Sequence, residues 1–75
     1  MRHEDTGLEN RLKIFRAKYG RSQEDLATAV GVSRKTINTI ERGKFTPSTV
    51  LALKLADALG CRVEDLFSLN GFGES

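Results

Sequence analysis

Apolar positions recur at helical spacing along most of this chain. Leu8, Leu12 and Phe15 share one face, with Tyr19 at its end, which predicts a first helix over Glu9 to Tyr19 closed by a left-handed Gly20. Ser22 then stands as an N-cap, and Asp25 three residues on supplies the acid of a capping box. Leu26, Ala27 and Val30 form the inner stripe of this second helix. Gly31 stops it with a positive φ, and Val32 plugs the turn into the core. Ser33 caps a third helix whose Ile37 and Ile40 point inward. Its Arg34, Lys35, Asn38 and Thr39 fall together on the outer face.

Gly43 ends the third helix, and Lys44 to Pro47 read as a loop that Phe45 pins to the core. Ser48 caps a fourth helix that runs through Leu59 to Gly60, with Leu51, Leu55, Ala56 and Leu59 as its core face. A short fifth helix spans Val63 to Phe67. Arg62 is a poor cap for it, costing about 1 kcal/mol against serine. No strand pattern of convincing length is present, so the expected fold is all-α with five helices. Residues 1–7 and 70–75 lack periodic apolar positions and read as flexible tails flanking one domain over 8–69.

The segment Gln23 to Gly43 is thus two short helices joined by a glycine turn, the sequence form of a helix-turn-helix. In such a pair the second helix lies in the DNA major groove with its first residues at the base edges. Those residues are Arg34 and Lys35, side chains suited to guanine O6 and N7. Net charge is only +2, but it is unevenly placed: +1 over residues 1–32, +3 over 33–45 and −2 over 46–75. The excess sits on the third helix and the loop behind it, where a duplex would lie.

Other functions find little support. Seventy-five residues make one small domain. One cysteine allows no internal disulfide, and a zinc cluster is implausible. His3 has no metal-ligand partner, so neither metal nor cofactor is expected. No apolar run approaches the roughly 20 residues that span a bilayer, and residues 1–7 show no signal-peptide core. A cytoplasmic, prokaryotic protein without a membrane role is expected. A serine nucleophile would need an aligned base, and the single histidine is in the tail. The acid pairs Glu24-Asp25 and Glu64-Asp65 sit in first turns, where the helix dipole accounts for them. No catalytic set remains. Cys61 reads as a small buried hydrophobe.

The stretch Leu12 through Phe67 resembles the Cro/C1-type (XRE-like) helix-turn-helix domain of phage repressors and bacterial regulators, in its short stand-alone form. The resemblance is carried by Arg21-Ser22-Gln23-Glu24-Asp25-Leu26-Ala27, Gly31-Val32-Ser33, Thr36 through Lys44, Pro47-Ser48, Leu55 through Gly60 and Glu64-Asp65-Leu66-Phe67. It implies a lambda-repressor-like fold, double-stranded DNA as partner, and a repressor acting as a homodimer on a palindromic operator. It also implies roles. Gln23 touches a phosphate and buttresses the third helix. Ser22 and Ser33 hold phosphates at helix N-termini. Arg34, Lys35, Asn38 and Thr39 read bases, Asn38 being suited to adenine. Arg42, Gly43 and Lys44 meet the sugar-phosphate backbone, while Arg16 and Glu41 form a largely buried salt bridge. Arg34-Lys35 stand where many members carry glutamines, which points to guanine in the half-site.

An apolar surplus is left over. Val50 and Leu53 project off the inner stripe of the fourth helix, and Leu69 and Phe72 follow the fifth. A two-fold dimer interface is the favoured use, because it would place two recognition helices about 34 Å apart. The alternative is an antitoxin-like or other protein-interaction module, with a partner such as a toxin on this patch and DNA binding as autoregulation.

Overall fold

A computed structural model describes residues 7–72. Among the described residues the order is β1 (Glu9–Asn10), α1 (Leu12–Lys18), α2 (Gln23–Val30), α3 (Arg34–Glu41), α4 (Thr49–Ala58), α5 (Val63–Leu66) and β2 (Phe67–Ser68). The N-terminal tail as far as Thr6, with His3, and residues 73–75 lie outside the described residues.

The serines start the helices for one repeated reason. Ser22, Ser33 and Ser48 each hold an extended backbone, and each hydroxyl accepts the amide three residues on, from Asp25, Thr36 and Leu51. That satisfies one of the amides that a helix start leaves without a partner. At α2 the box closes, because the Asp25 carboxylate accepts the Ser22 amide at 3.0 Å. Hydrogen bonding from Ser22, its amide first and its side chain second, holds the Asp25 carboxyl below its ordinary range. At α5 an arginine cannot accept, and only the return bond forms: Arg62 N–H donates to Asp65 at 2.9 Å. The helix that follows is four residues long.

The stripes meet in one core. Leu12, Leu26, Ala27, Val30, Ile37, Ile40, Leu55, Ala56, Leu59, Leu66 and Phe67 are buried, with Phe15, Val32 and Leu51 packed against them. Burying a Leu or Ile side chain stabilises the fold by about 1.5–3 kcal/mol. The two helices α2 and α3 pack most extensively on each other, and α4 lies against α2. Among the described residues no buried side-chain nitrogen or oxygen lacks a hydrogen-bond partner.

Five local expectations need correction. The first helix starts at Leu12, not Glu9, and the residues before it form a strand. That strand pairs antiparallel with β2, Glu9 opposite Ser68 and Asn10 opposite Phe67, so short strands do exist and the fifth helix ends before Phe67. Two-residue strands have no periodicity for a pattern to reveal. Tyr19 is 52% exposed and Phe45 46% exposed, so neither anchors its segment in the core. Tyr19 already lies past the last turn of α1, and Phe45 sits in the irregular run before Pro47.

Candidate nucleic-acid interface

The turn between α2 and α3 is Gly31-Val32-Ser33. Gly31 adopts φ 79°, and the amides of Gly31 and Val32 both donate to the Ala27 carbonyl. A β-carbon at that φ is disfavoured, which is why the chain can reverse here in so few residues. Val32 is half-buried against the core, and Ser33 opens α3 at once.

α3 is split lengthwise. Ile37 is fully buried and Ile40 nearly so, whereas Arg34 and Lys35 are exposed and Asn38 and Thr39 half-exposed. The first turn contains no acid. Two cations and the positive end of the helix dipole therefore add, with no carboxylate nearby in sequence to offset them. The Lys35 and Asn38 side chains bond to no other described residue. Thr39 differs: its hydroxyl lies 2.9 Å from the Thr36 carbonyl and 3.0 Å from that of Lys35. Its proton is spent inside the helix, and its methyl and lone pairs are what remain for a ligand.

The back of α3 is fastened by polar groups as well as by isoleucines. Arg16 Nε donates to Glu41 Oε2 at 2.7 Å and Nη2 to Oε1 at 3.1 Å, a two-pronged pair whose side chains are 13% and 7% exposed. The same Arg16 donates from Nη1 to the Arg21 carbonyl at 3.0 Å. The hydrogen bonds that Arg16 donates to Glu41 outweigh burial and push its guanidinium further up, so it stays charged. Gln23 donates from Nε2 to Glu41 at 3.0 Å and accepts from Arg34 at 3.2 Å. Gln23 is therefore placed between the ion pair and the first cation of α3.

The far end of α3 closes on Gly43, at φ 74°. Its amide donates to Ile40 and that of Lys44 to Thr39, the paired bonds of a Schellman cap. Arg42 is exposed at the C-cap position, and Lys44 is exposed just beyond. A further residue matters here that the sequence pattern did not single out. Asn10 accepts the Leu12 amide at 3.1 Å and donates from Nδ2 to the Ile40 carbonyl at 2.9 Å. One side chain thus holds the first amide of α1 and ties down the end of α3. It stands one residue ahead of the Arg11 cap position, where the usual cap pattern does not look for it.

The apolar positions separate into two places. Val50 and Leu53 are 61% and 55% exposed on α4. Leu53 borders a groove of about 370 Å³ walled by Leu8, Pro47, Ala52, Val63 and Phe67. Leu69 is 77% exposed. The Phe72 ring instead lies 4.0 Å from the Arg11 guanidinium, and Arg11 donates to the Phe72 carbonyl at 3.3 Å. Cys61 is half-buried as a free thiol, pushed up chiefly by burial. Among the described residues no cluster of His, Cys, Asp or Glu could hold a metal, and no helix is long and apolar enough to cross a membrane.

Comparison with known proteins agrees with this geometry. A helix-turn-helix family model matches residues 12–66. An uncharacterized HTH-type transcriptional regulator of Archaeoglobus fulgidus is 52% identical over 60 residues, spanning 80% of this chain and 86% of that one. The restriction-modification controller protein C.AhdI of Aeromonas hydrophila superposes with a TM-score of 0.68 at 39% identity, covering 72% of this chain and 82% of that one. The clp gene regulator ClgR of Corynebacterium glutamicum gives a TM-score of 0.69 at 37% identity over 72% of this chain, which spans 57% of that protein. A turn of three residues, an outward cationic helix and these relatives together place the chain in the XRE (Cro/C1-type) family of DNA-binding helix-turn-helix transcriptional regulators.

Proposed function

We propose that the protein represses transcription in the prokaryotic cytoplasm by binding a palindromic operator as a homodimer. The observation that carries this is the first turn of α3: two exposed cations, no acid, and a rigid buried back. Arg34 and Lys35 read guanine, Asn38 reads adenine, and Thr39 offers its methyl to thymine. Ser22, Gln23 and Ser33 contact phosphates on one side of the groove, and Arg42, Gly43 and Lys44 do so on the other. Val50 and Leu53 supply the centre of the dimer interface, with Leu69 and the tail at Phe72 at its margin. Relatives named as gene regulators support a transcriptional role.

Selection from randomised duplexes tests this directly. A symmetric site with half-sites about 34 Å apart is expected, with binding that falls steeply as salt rises. Arg34→Ala is expected to cost about 1–3 kcal/mol and to relax preference at one base pair. A selected site without symmetry, or none at all, would remove the operator reading. Binding of an unrelated protein that excludes DNA-independent self-association would favour the antitoxin-like use of the same apolar face.

A further inference from the structure

The end of α3 is tied to the start of the domain through one asparagine. Asn10 donates from Nδ2 to the Ile40 carbonyl at 2.9 Å and accepts the Leu12 amide on Oδ1 at 3.1 Å. The direction is forced, because a backbone N–H only donates and a carbonyl only accepts. A flipped side chain would set oxygen against oxygen at Ile40 and NH2 against N–H at Leu12. Asn10 is itself held. It stands opposite Phe67 in the β1–β2 pair, and the next amide, that of Arg11, donates to the Leu66 carbonyl at 2.8 Å. Leu66 and Phe67 are both buried. The Ile40 carbonyl also takes the Gly43 amide at 3.0 Å. Both of its lone pairs are therefore filled, one from the turn after α3 and one from β1.

We propose that Asn10 is a positioning residue for contact with the DNA backbone: through the Ile40 carbonyl it sets where Arg42, Gly43 and Lys44 stand, and so how many phosphates that turn engages. This rests on the reading of the turn as a phosphate contact. The bonds from Gly43 to Ile40 and from Lys44 to Thr39 are local. They fix the shape of the turn, not its place on the domain. Arg16 grips α3 by the Glu41 side chain, whose torsions leave the backbone some play. Asn10 grips the backbone itself. Arg42 and Lys44 are exposed on this turn, so a shift of its backbone moves both cations at once. Phosphate contacts set affinity for any duplex and its salt dependence, whereas sequence is read at base edges. Asn10 thus acts on general affinity and leaves base preference as it is.

The full chain is compared with Asn10→Asp, Asn10→Ser and Arg42→Ala/Lys44→Ala, and with Asn10→Ser added to that pair. Affinity for a selected operator and for random duplex is measured over a salt series, and circular dichroism checks that each variant is folded at the assay temperature. Asn10→Asp keeps an acceptor for Leu12 and sets a second oxygen against the Ile40 carbonyl. Asn10→Ser adds no charge and can still accept the Leu12 amide, but it ends one bond short of the asparagine nitrogen, and it serves if the aspartate loosens the fold. Both are expected to weaken selected and random duplex alike, by about fivefold to tenfold, and to flatten the slope of log affinity against log salt by about 1–2. Base preferences should be kept, and Asn10→Ser should flatten the slope no further once Arg42 and Lys44 are gone. If the folded Asn10 variants melt earlier but keep wild-type affinity and slope, Asn10 serves the fold only and the inference fails. It fails too if base preference changes while the slope does not. If Arg42→Ala/Lys44→Ala itself leaves the slope unchanged, the reading of the turn fails and the inference falls with it.

Discussion

α3 and α4 start alike and differ most in what they leave outside. Each starts from a serine whose hydroxyl accepts the amide three residues on, and each has no acid in its first turn. Each buries a short apolar stripe, Ile37 and Ile40 in one and Leu55 and Ala56 in the other. Outside, α3 shows Arg34 and Lys35, whereas α4 shows Val50 and Leu53. A capped helix with a buried stripe is therefore a neutral scaffold, and the residues left in water decide its partner. Cations at a helix start suit a polyanion. Exposed branched apolar side chains beside a groove suit another protein surface. The inner sides differ too. Behind α3 stands a buried ion pair reaching α1, while α4 is held mainly by apolar contacts.

The largest expected effect probes that anchor. Arg16→Ala leaves Glu41 buried without its cation and is expected to cost about 3–5 kcal/mol of stability, read from urea unfolding. A loss under about 1 kcal/mol would mean that the isoleucines alone hold α3, as apolar contacts hold α4. Next comes Leu53→Glu, which puts a charge on the outer face of α4. Self-association should weaken by about tenfold or more while unfolding free energy barely moves. Sedimentation velocity decides, and a wild type that stays monomeric at high micromolar concentration would void the contrast.

A smaller effect sharpens the comparison. Ser33→Ala and Ser48→Ala should each destabilise by about 1 kcal/mol, since their caps are equivalent. Only Ser33→Ala should also weaken DNA binding, measured by fluorescence anisotropy on a selected operator. The smallest effect is acid dependence at α2. The folded Asp25 carboxyl titrates below its ordinary range, so its contribution is full above the unfolded value near 3.9 and is lost as pH falls through the lower folded value. Thermal melts across that window should show a flatter acid limb for Asp25→Asn.

Much of the site could be read from the chain because it lives on single helices. The caps at Ser22, Ser33 and Ser48 and the faces of α3 depend on neighbours within a turn or two. The β1–β2 pairing could not be read this way. Glu9 meets Ser68 and Asn10 meets Phe67 across nearly the whole domain, and two residues carry no period. The Asn10 bond to the Ile40 carbonyl is hidden for the same reason, as is the pairing of Arg11 with Phe72. The Arg16–Glu41 pair entered through family resemblance, not through spacing, since nothing local joins residues 25 positions apart.

What the sequence determined by itself is where helices start, which stripe of each turns inward, and that cations crowd the outside of α3. Those follow from backbone amides needing caps and from apolar side chains leaving water at a 3.6-residue period. What only the tertiary structure decided is orientation: a carboxylate on α3, gripped from α1, fixes which way the Gln23 amide faces and so where Arg34 rests. Hydrogen-bond direction among groups distant in sequence exists only once the helices have packed, because donors and acceptors must first be brought within about 3 Å of each other.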